Sequence, residues 1–159
     1  MIGPIASDAL TIRRATRDDV PRVLALIAGG AMPRRPDDED ATLPCYAAAF
    51  AEIDANPNQM LVVAELEGRV VGTLQLVTIR HLHRHGGLCA EVEAVHVDTA
   101  VRDRGVGSAL MRWCIDEAKR RGCYRLQLTS QTVREGAHRF YERLGFTASH
   151  RGFKLVLSR

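Results

Sequence analysis

The chain has 159 residues, of which 46% are hydrophobic and 26% are charged, and its formal net charge is +3. This hydrophobic content argues against an intrinsically disordered chain, and a domain of about 150 residues buries enough surface to fold without disulfides or metal. The small net charge argues against a nucleic-acid partner, and no run of about 18 apolar residues is present to span a membrane.

The N-terminal part of the chain predicts a tail, one strand and one helix. We expect residues 1–9 to form a flexible tail, after which Leu10-Thr11-Ile12-Arg13 alternates as a short strand. Thr16 and Asp19 have the spacing of a helix N-terminal capping pair, and the apolar residues that follow recur on one helix face. The pair Gly29-Gly30 is predicted to end this helix.

The middle of the chain predicts a loop, a second helix and three consecutive strands. The loop carries three prolines and the acidic run Asp37 to Asp40, so we expect it to be exposed. A helix over about 45–55 follows. The pattern then changes to strands over 61–65 and 70–79, joined by a hairpin turn, and to a third strand over 88–98.

The C-terminal part of the chain alternates helices with strands. Helices are predicted over about 106–121 and 135–144, and strands over 124–129 and 153–157. The mixture indicates a mixed sheet flanked by helices. Because no internal boundary is visible, we expect a single domain over residues 10–159.

Two features predict a cytoplasmic protein. The first residues lack the basic start and apolar core of a signal peptide. The cysteines show no metal-binding spacing, and we expect them to be reduced residues of the core. They are Cys45, Cys89, Cys114 and Cys123.

The most informative stretch is a turn with two closely spaced glycines between the strand over 88–98 and the next helix. Such a turn exposes backbone N–H groups at a helix N-terminus, where the helix dipole favours a phosphate. The P-loop motif needs a lysine that is absent here, and the dinucleotide fingerprint needs a glycine where Leu110 stands. The pattern that remains is Arg-x-x-Gly-x-Gly.

Two motifs together resemble the GNAT superfamily of N-acetyltransferases. The first is Arg102-Asp103-Arg104-Gly105-Val106-Gly107, preceded by a strand that ends Val-His-Val-Asp. The second is Ala137-His138-Arg139-Phe140-Tyr141-Glu142-Arg143-Leu144-Gly145-Phe146, which is similar to the family's A-x-x-F-Y-x-x-L-G-F helix. The resemblance covers about residues 10–157. It implies an α/β fold whose central mixed, mostly antiparallel sheet is splayed between its fourth and fifth strands and flanked by about four helices.

The resemblance also implies that acetyl-CoA binds in the cleft between those two strands. Backbone groups of Val95, His96 and Val97 would pair with the pantetheine arm. The pyrophosphate would be held by the turn, which comprises Arg102, Asp103, Arg104, Gly105, Val106, Gly107 and Ser108. Arg134 stands where many members have a cofactor-binding asparagine, so that contact is either lost or replaced by a contact from Arg134 to a CoA phosphate.

Acetyl transfer to an alkyl amine requires a base, because the amine has a pKa of roughly 10.4 and must be neutral to attack. Glu91 and Glu93 are two residues apart on a strand, so we expect both on one face together with Val95 and Val97. Glu91 resembles the family's general-base glutamate, and Glu93 matches an acidic position of small-molecule members. Either acts as the base, or both form an ion pair or contact the substrate ammonium.

Tyr141 matches the family position whose phenol protonates the departing thiolate, and the alternative is an aromatic core residue beside Phe140. His96 is expected on the strand face opposite the glutamates, as a packed histidine. The alternating histidines His81, His83 and His85 are predicted to belong to a polar loop that borders the acceptor cleft, and no metal is expected.

The predicted function is therefore transfer of an acetyl group from acetyl-CoA to a small amine by direct attack on the thioester. Alternatives are acetylation of a protein or peptide amino group, or of charged tRNA, and a sensor that binds acetyl-CoA without catalysis. The acidic run Asp37 to Asp40 either attracts a cationic acceptor or is a solvated loop. The family often forms dimers, but the sequence contains no independent evidence for a homodimer.

Overall fold

The computed structural model describes residues 9–30 and 42–157 of the chain. The predicted tail, except for its last residue, lies outside these described residues, as does the acidic run Asp37 to Asp40. The chain divides into two compact units, Met1–Gln127 and Leu128–Arg159.

Five strands form one sheet in the order β1-β2-β3-β4-β5. Strands β1 to β4 pair antiparallel in succession, and β5 runs parallel to β4. This arrangement confirms the predicted mixed, mostly antiparallel sheet, including the hairpin of β2 and β3. The strands are β1 (Leu10–Arg14), β2 (Gln59–Leu66), β3 (Arg69–Arg80), β4 (Leu88–Val97) and β5 (Cys123–Leu128).

The described residues contain four helices, one short helical turn and two 3-10 turns, in agreement with the prediction of about four helices. None of them has the length and apolar character needed to cross a membrane. The elements are α1 (Val20–Gly30), α2 (Pro44–Ala55), the turn α3 (His83–Gly86), α4 (Val106–Arg120) and α5 (Glu135–Arg143).

Helices cover both faces of the sheet in the first unit. On one face, here called the α1 face, a hydrophobic cluster joins residues of α1 to residues of β2 and β3; it comprises Ala15, Val23, Leu26, Val63 and Val70. The opposite face, here called the α4 face, packs against α4. There a Cβ added at Gly72 would lie 2.8 Å from Leu110 Cδ1 and 3.2 Å from Val106 Cγ1, so only glycine allows α4 to approach this closely. The sheet is thus the middle of three layers.

The predicted helix start is confirmed, and it is tied to the sheet by an arginine. Thr16 and Asp19 form a capping box at a 3-10 turn that leads directly into α1. Arg13 on β1 donates from Nη1 to Asp19 Oδ2 at 2.7 Å and from Nη2 to Glu65 Oε2 at 2.7 Å. The hydrogen bond from Arg13, together with two from the backbone and side chain of Thr16, lowers the pKa of the Asp19 carboxyl to about 2.

The prediction of a final strand over 153–157 is wrong. Residues 146–157 form no strand, and the apolar side chains of this segment are exposed: Phe153, Leu155, Val156 and Leu157. Apolar, β-branched composition permits an extended chain, but a strand also needs a neighbouring backbone to pair with its N–H and C=O groups.

The cysteine prediction is correct in part. All four thiols are free. Cys89 and Cys114 are buried and Cys123 is half-buried, but Cys45 is exposed in the first turn of α2 and is not a core residue. A helix that covers a sheet buries only one stripe of its surface, and the residue pattern of α2 did not show on which side Cys45 would lie.

Candidate active site

Strand β4 contains a β-bulge at its centre. Glu93 lies opposite Gln75, and His96 lies opposite Thr73. Two residues of β4, Ala94 and Val95, therefore lie opposite the single residue Leu74 of β3. Ala94 has a φ of 51°, a left-handed conformation that costs a residue other than glycine roughly 1–2 kcal/mol. Such bulges are frequent next to active sites, where they redirect side chains.

The bulge changes which face the later residues of β4 occupy. Directly paired residues of antiparallel strands share a face, and Thr73, Gln75 and Val77 alternate along β3 on the α1 face. Their partners Glu91, Glu93 and His96 therefore lie on the α1 face as well. The prediction that Glu91 and Glu93 share a face is confirmed.

The prediction that His96 lies opposite the glutamates is wrong, because the inserted residue shifts the alternation by one. For the same reason Val97, which pairs with Gly72, does not share a face with the glutamates as predicted. His96 is half-buried and packs against the end of α1. A Cβ added at Gly30 would overlap the His96 imidazole, so the last glycine of α1 makes room for this ring.

The two candidate bases have different surroundings. Glu91 is half-buried, and its Oε2 accepts a hydrogen bond of 3.1 Å from Gln127 Nε2 on β5. Glu93 is exposed. Strand β5 therefore fixes the orientation of the Glu91 carboxylate, and Gln127, which sequence reasoning missed, is the residue that does so.

The predicted phosphate-binding turn connects β4 to α4. Asp98 Oδ1 accepts a hydrogen bond of 2.9 Å from Ala100 N and caps a 3-10 turn over Thr99–Val101, while Asp98 Oδ2 pairs with Arg22 on α1. Gly105 has a φ of 92°, which favours glycine, and it is the N-terminal cap of α4. The turn is therefore anchored at its start by an ion pair and ends in a conformation that suits glycine.

Backbone and side-chain donors converge in this turn. The first backbone bond of α4 runs from Ala109 N to Gly105 O at 2.9 Å, so the N–H groups of Val106, Gly107 and Ser108 precede the helical ladder. The Nε of Arg104 is buried without a hydrogen-bond acceptor among the described residues. These donors fit the pyrophosphate that the sequence motif implies.

In the second unit, Tyr141 lies on α5 within a small aromatic group. Its ring centroid is 5.1 Å from that of Phe140 and 5.9 Å from that of Phe146. Partial burial raises the pKa of the Tyr141 phenol, while the nearby charge of Arg134 acts in the opposite direction. Arg134 is the N-terminal cap residue of α5, and its N–H donates to Gln131 O at 3.0 Å.

The structure also assembles a group that the sequence showed only in part. The loop after β3 brings His81, His83 and Arg84 against Tyr124 and Arg125 of β5, and we call these five residues the histidine–tyrosine cluster. The prediction of a polar loop identified the histidines. It missed Tyr124 and Arg125, because their approach depends on the pairing of β5 beside β4.

Comparisons with known proteins identify the family. The sequence profile of the acetyltransferase (GNAT) family matches residues 30–146. An aminoalkylphosphonate N-acetyltransferase of Salmonella typhimurium is 32% identical over 146 residues, which cover 92% of this chain and 90% of the relative. A glucosamine 6-phosphate N-acetyltransferase of Oryza sativa is 30% identical over 87% of this chain and 82% of its own length.

Among solved structures, a transcriptional regulator from Bacillus halodurans superposes with a TM-score of 0.86 at 38% identity. The match covers 93% of this chain and 99% of that one. The architecture, both sequence motifs and the full-length relatives agree. The chain therefore belongs to the acetyltransferase (GNAT) family, and the prediction that it is an N-acetyltransferase is confirmed.

Proposed function

We propose that the protein transfers the acetyl group of acetyl-CoA to the primary amine of a small molecule, by direct attack on the thioester. The observation that carries this proposal is the construction of β4. This strand presents two carboxylates on the α1 face and contains a bulge. It leads into a turn whose N–H groups can donate hydrogen bonds to phosphate. The two curated relatives named above carry names of enzymes that act on small amines, which supports a small-molecule acceptor.

The turn from Arg102 to Ser108 is proposed to hold the pyrophosphate of acetyl-CoA. Its N–H groups and the buried Arg104 Nε supply hydrogen bonds, and the dipole of α4 favours the negative charge. Backbone groups of Val95 to Val97 are proposed to pair with the pantetheine arm. The bulge supports this role, because a bulge bends its strand, here just before these residues.

The acceptor ammonium must lose two protons, one before the attack and one after the nitrogen has bonded to the carbonyl carbon, and the departing thiolate must gain one. We assign the base to Glu91, whose carboxylate Gln127 holds in place, and a contact with the acceptor ammonium to Glu93. Once neutral, the nitrogen bonds to the carbonyl carbon and the carbon–sulfur bond breaks. We assign protonation of the departing thiolate to Tyr141, whose raised pKa keeps the phenol protonated at neutral pH.

Release of free thiol from acetyl-CoA, measured against a panel of small amines and peptides, tests the proposal. Glu91→Gln and Tyr141→Phe should lower kcat and leave acetyl-CoA affinity unchanged, as measured by thermal stabilisation. Glu67→Gln, in the hairpin turn, is the matched control. Stabilisation by acetyl-CoA without turnover on any amine would instead identify a sensor, and turnover on peptides alone would exclude a small-molecule acceptor.

We further propose that residues 10–159 act as one domain located in the cytoplasm. The family profile supports the single domain, because it runs from residue 30 to residue 146 and so includes parts of both compact units. Proteolysis of the full chain with acetyl-CoA present should then yield one protected fragment. Two separate stable fragments would contradict this proposal.

A further inference from the structure

We propose that the histidine–tyrosine cluster is a subsite for a phosphoryl or phosphonate group carried by the acceptor amine. The inference rests on the proposed function, because it gives a binding site for a second charged group of the same acceptor molecule. The cluster lies beside the start of β4 and β5, whereas the phosphate-binding turn follows the end of β4.

Tyr124 holds both imidazoles in place. Its Oη lies 2.8 Å from His81 Nδ1 and 3.3 Å from His83 Nε2, and the two imidazoles stack with their centroids 4.6 Å apart. A phenol has one proton to donate, so one imidazole receives it and the other donates an N–H to Oη. Within residues 9–30 and 42–157, the second nitrogen of each ring has no hydrogen-bond partner and is open to a ligand.

Two guanidinium groups converge on the same phenol ring. The Cζ of Arg125 is 5.5 Å and that of Arg84 is 5.9 Å from the Tyr124 centroid. Arg125 Nε donates to Cys89 Sγ at 3.2 Å, which leaves the two Nη groups of its fork for an external acceptor.

Desolvation, together with the positive charges of His83 and Arg125, lowers the pKa of His81. The hydrogen bond to Cys89 raises the pKa of Arg125, and the carboxylate of Glu91 on the adjoining strand contributes in the same direction. The cluster thus combines two guanidinium cations with imidazoles whose protonated form a bound oxyanion would favour.

The backbone supports this arrangement. Arg84 and His85 have φ values of 57° and 56°, and Gly86 follows with 72°, so three successive residues are left-handed and the chain turns back onto Tyr124. A Cβ added at Gly87 would lie 2.8 Å from Tyr124 Cδ1, so this glycine lets the ring pack directly on the turn. Arg80 Nη1 secures the turn with a hydrogen bond of 2.7 Å to Gly86 O.

The donor set suits a tetrahedral dianion, since guanidinium forks match phosphoryl oxygens in pairs. The length of β4 separates the histidine–tyrosine cluster from the proposed site of the CoA phosphates. The nine residue-to-residue distances from Leu88 to Val97 add up to about 30 Å. Glu91, by contrast, lies two residues beyond Cys89, or about 7 Å along the strand. A short amine could therefore place its phosphoryl group at Arg125 and its nitrogen at Glu91.

The direct test is an NMR titration of the imidazole signals with inorganic phosphate, with His81→Gln and His83→Gln as assignment variants. We expect the His81 and His83 signals to shift and those of His138 and His150 to stay. Arg125→Gln and Arg84→Gln should each weaken the binding by about tenfold or more, the effect of losing one charged hydrogen bond. Arg112→Gln, an exposed arginine on α4, is the matched control and should leave the titration unchanged.

The kinetic test compares phosphoethanolamine with ethanolamine as acceptors. We expect Arg125→Gln to raise KM for phosphoethanolamine by about tenfold or more and to change ethanolamine kinetics by less than about twofold. Equal losses for both acceptors, or phosphate shifts unaffected by both arginine variants, would overturn the proposal. Shifts at His81 produced by CoA but absent with 3′-dephospho-CoA would assign the site to the nucleotide and would also overturn it. If no amine is acetylated, the proposed function fails, and the phosphate titration still decides whether the cluster binds a phosphoryl group.

Discussion

Replacement of Asp19 by asparagine should remove one part of the dependence of the protein's stability on acidic pH. The Asp19 side chain is 10% exposed and accepts hydrogen bonds of 2.7 Å from Arg13 Nη1 and from Thr16 N. These bonds lower its pKa from 3.8 to about 2, which corresponds to roughly 2 kcal/mol, at about 1.4 kcal/mol for each tenfold change in proton affinity.

The direction of the pKa shift determines at which pH Asp19 stabilises the folded protein. A carboxyl whose pKa is lower in the folded state contributes its full stability above the unfolded pKa near 3.8, and it loses this contribution as pH falls towards 2. Asp19→Asn should therefore lower the free energy of unfolding by roughly 2 kcal/mol at pH 7. Near pH 2 the variant and the wild type should converge.

Urea denaturation at a series of pH values between about 2 and 7 measures this difference. Asp18→Asn is the matched control, because Asp18 lies exposed in the same 3-10 turn. Its stability should follow the wild-type curve. A constant offset between Asp19→Asn and the wild type across the whole pH range would refute the electrostatic reasoning.

Three further perturbations test the site. Gly30→Ala should lower the free energy of unfolding by about 1–3 kcal/mol, because its Cβ overlaps His96, while Gly29→Ala, with open space around it, should be neutral or stabilising in thermal melts. Gly105→Ala should destabilise the turn by roughly 1–2 kcal/mol and weaken acetyl-CoA binding measured by calorimetry, because φ is 92° there. Burial raises the pKa of the Tyr141 phenol from its ordinary value, so ionisation of this phenol should not lower kcat in the neutral and mildly alkaline range; an alkaline loss below pH 9 that disappears in Tyr141→Phe would contradict this.

Local sequence signals predicted most of the secondary structure. The capping pair Thr16 and Asp19 marked the entry to α1, and the short turn between β2 and β3 determined their pairing. The glycines of the phosphate-binding turn placed the start of α4 correctly at Val106. In each case, chemistry within a few residues of the chain decides the conformation.

The wrong predictions concern positions whose conformation or contacts depend on residues far away in the sequence. The alternation through Glu91, Glu93, Val95 and Val97 is regular in sequence, so a bulge at Ala94 leaves no trace in a pattern of period two. Arg125 reaches Cys89 only because β5 lies beside β4, and no local pattern contains that pairing. The apolar segment over 153–157 has strand composition, but its conformation depends on a partner strand.

The bulge at Ala94 also limits how this chain can change in length. Because Ala94 is the extra residue, its deletion would leave Val95 opposite Leu74, with Glu93 still paired to Gln75 and His96 to Thr73, so the residues on both sides would keep their faces; deletion elsewhere in β4 would turn over the residues between the change and the bulge. After loss of residue 94, His96 would still point towards Gly30 and Asp98 would stay beside Arg22. We therefore expect descendants of this sequence to vary in length in the loops and at the bulge, but to keep the residue count of the rest of β4.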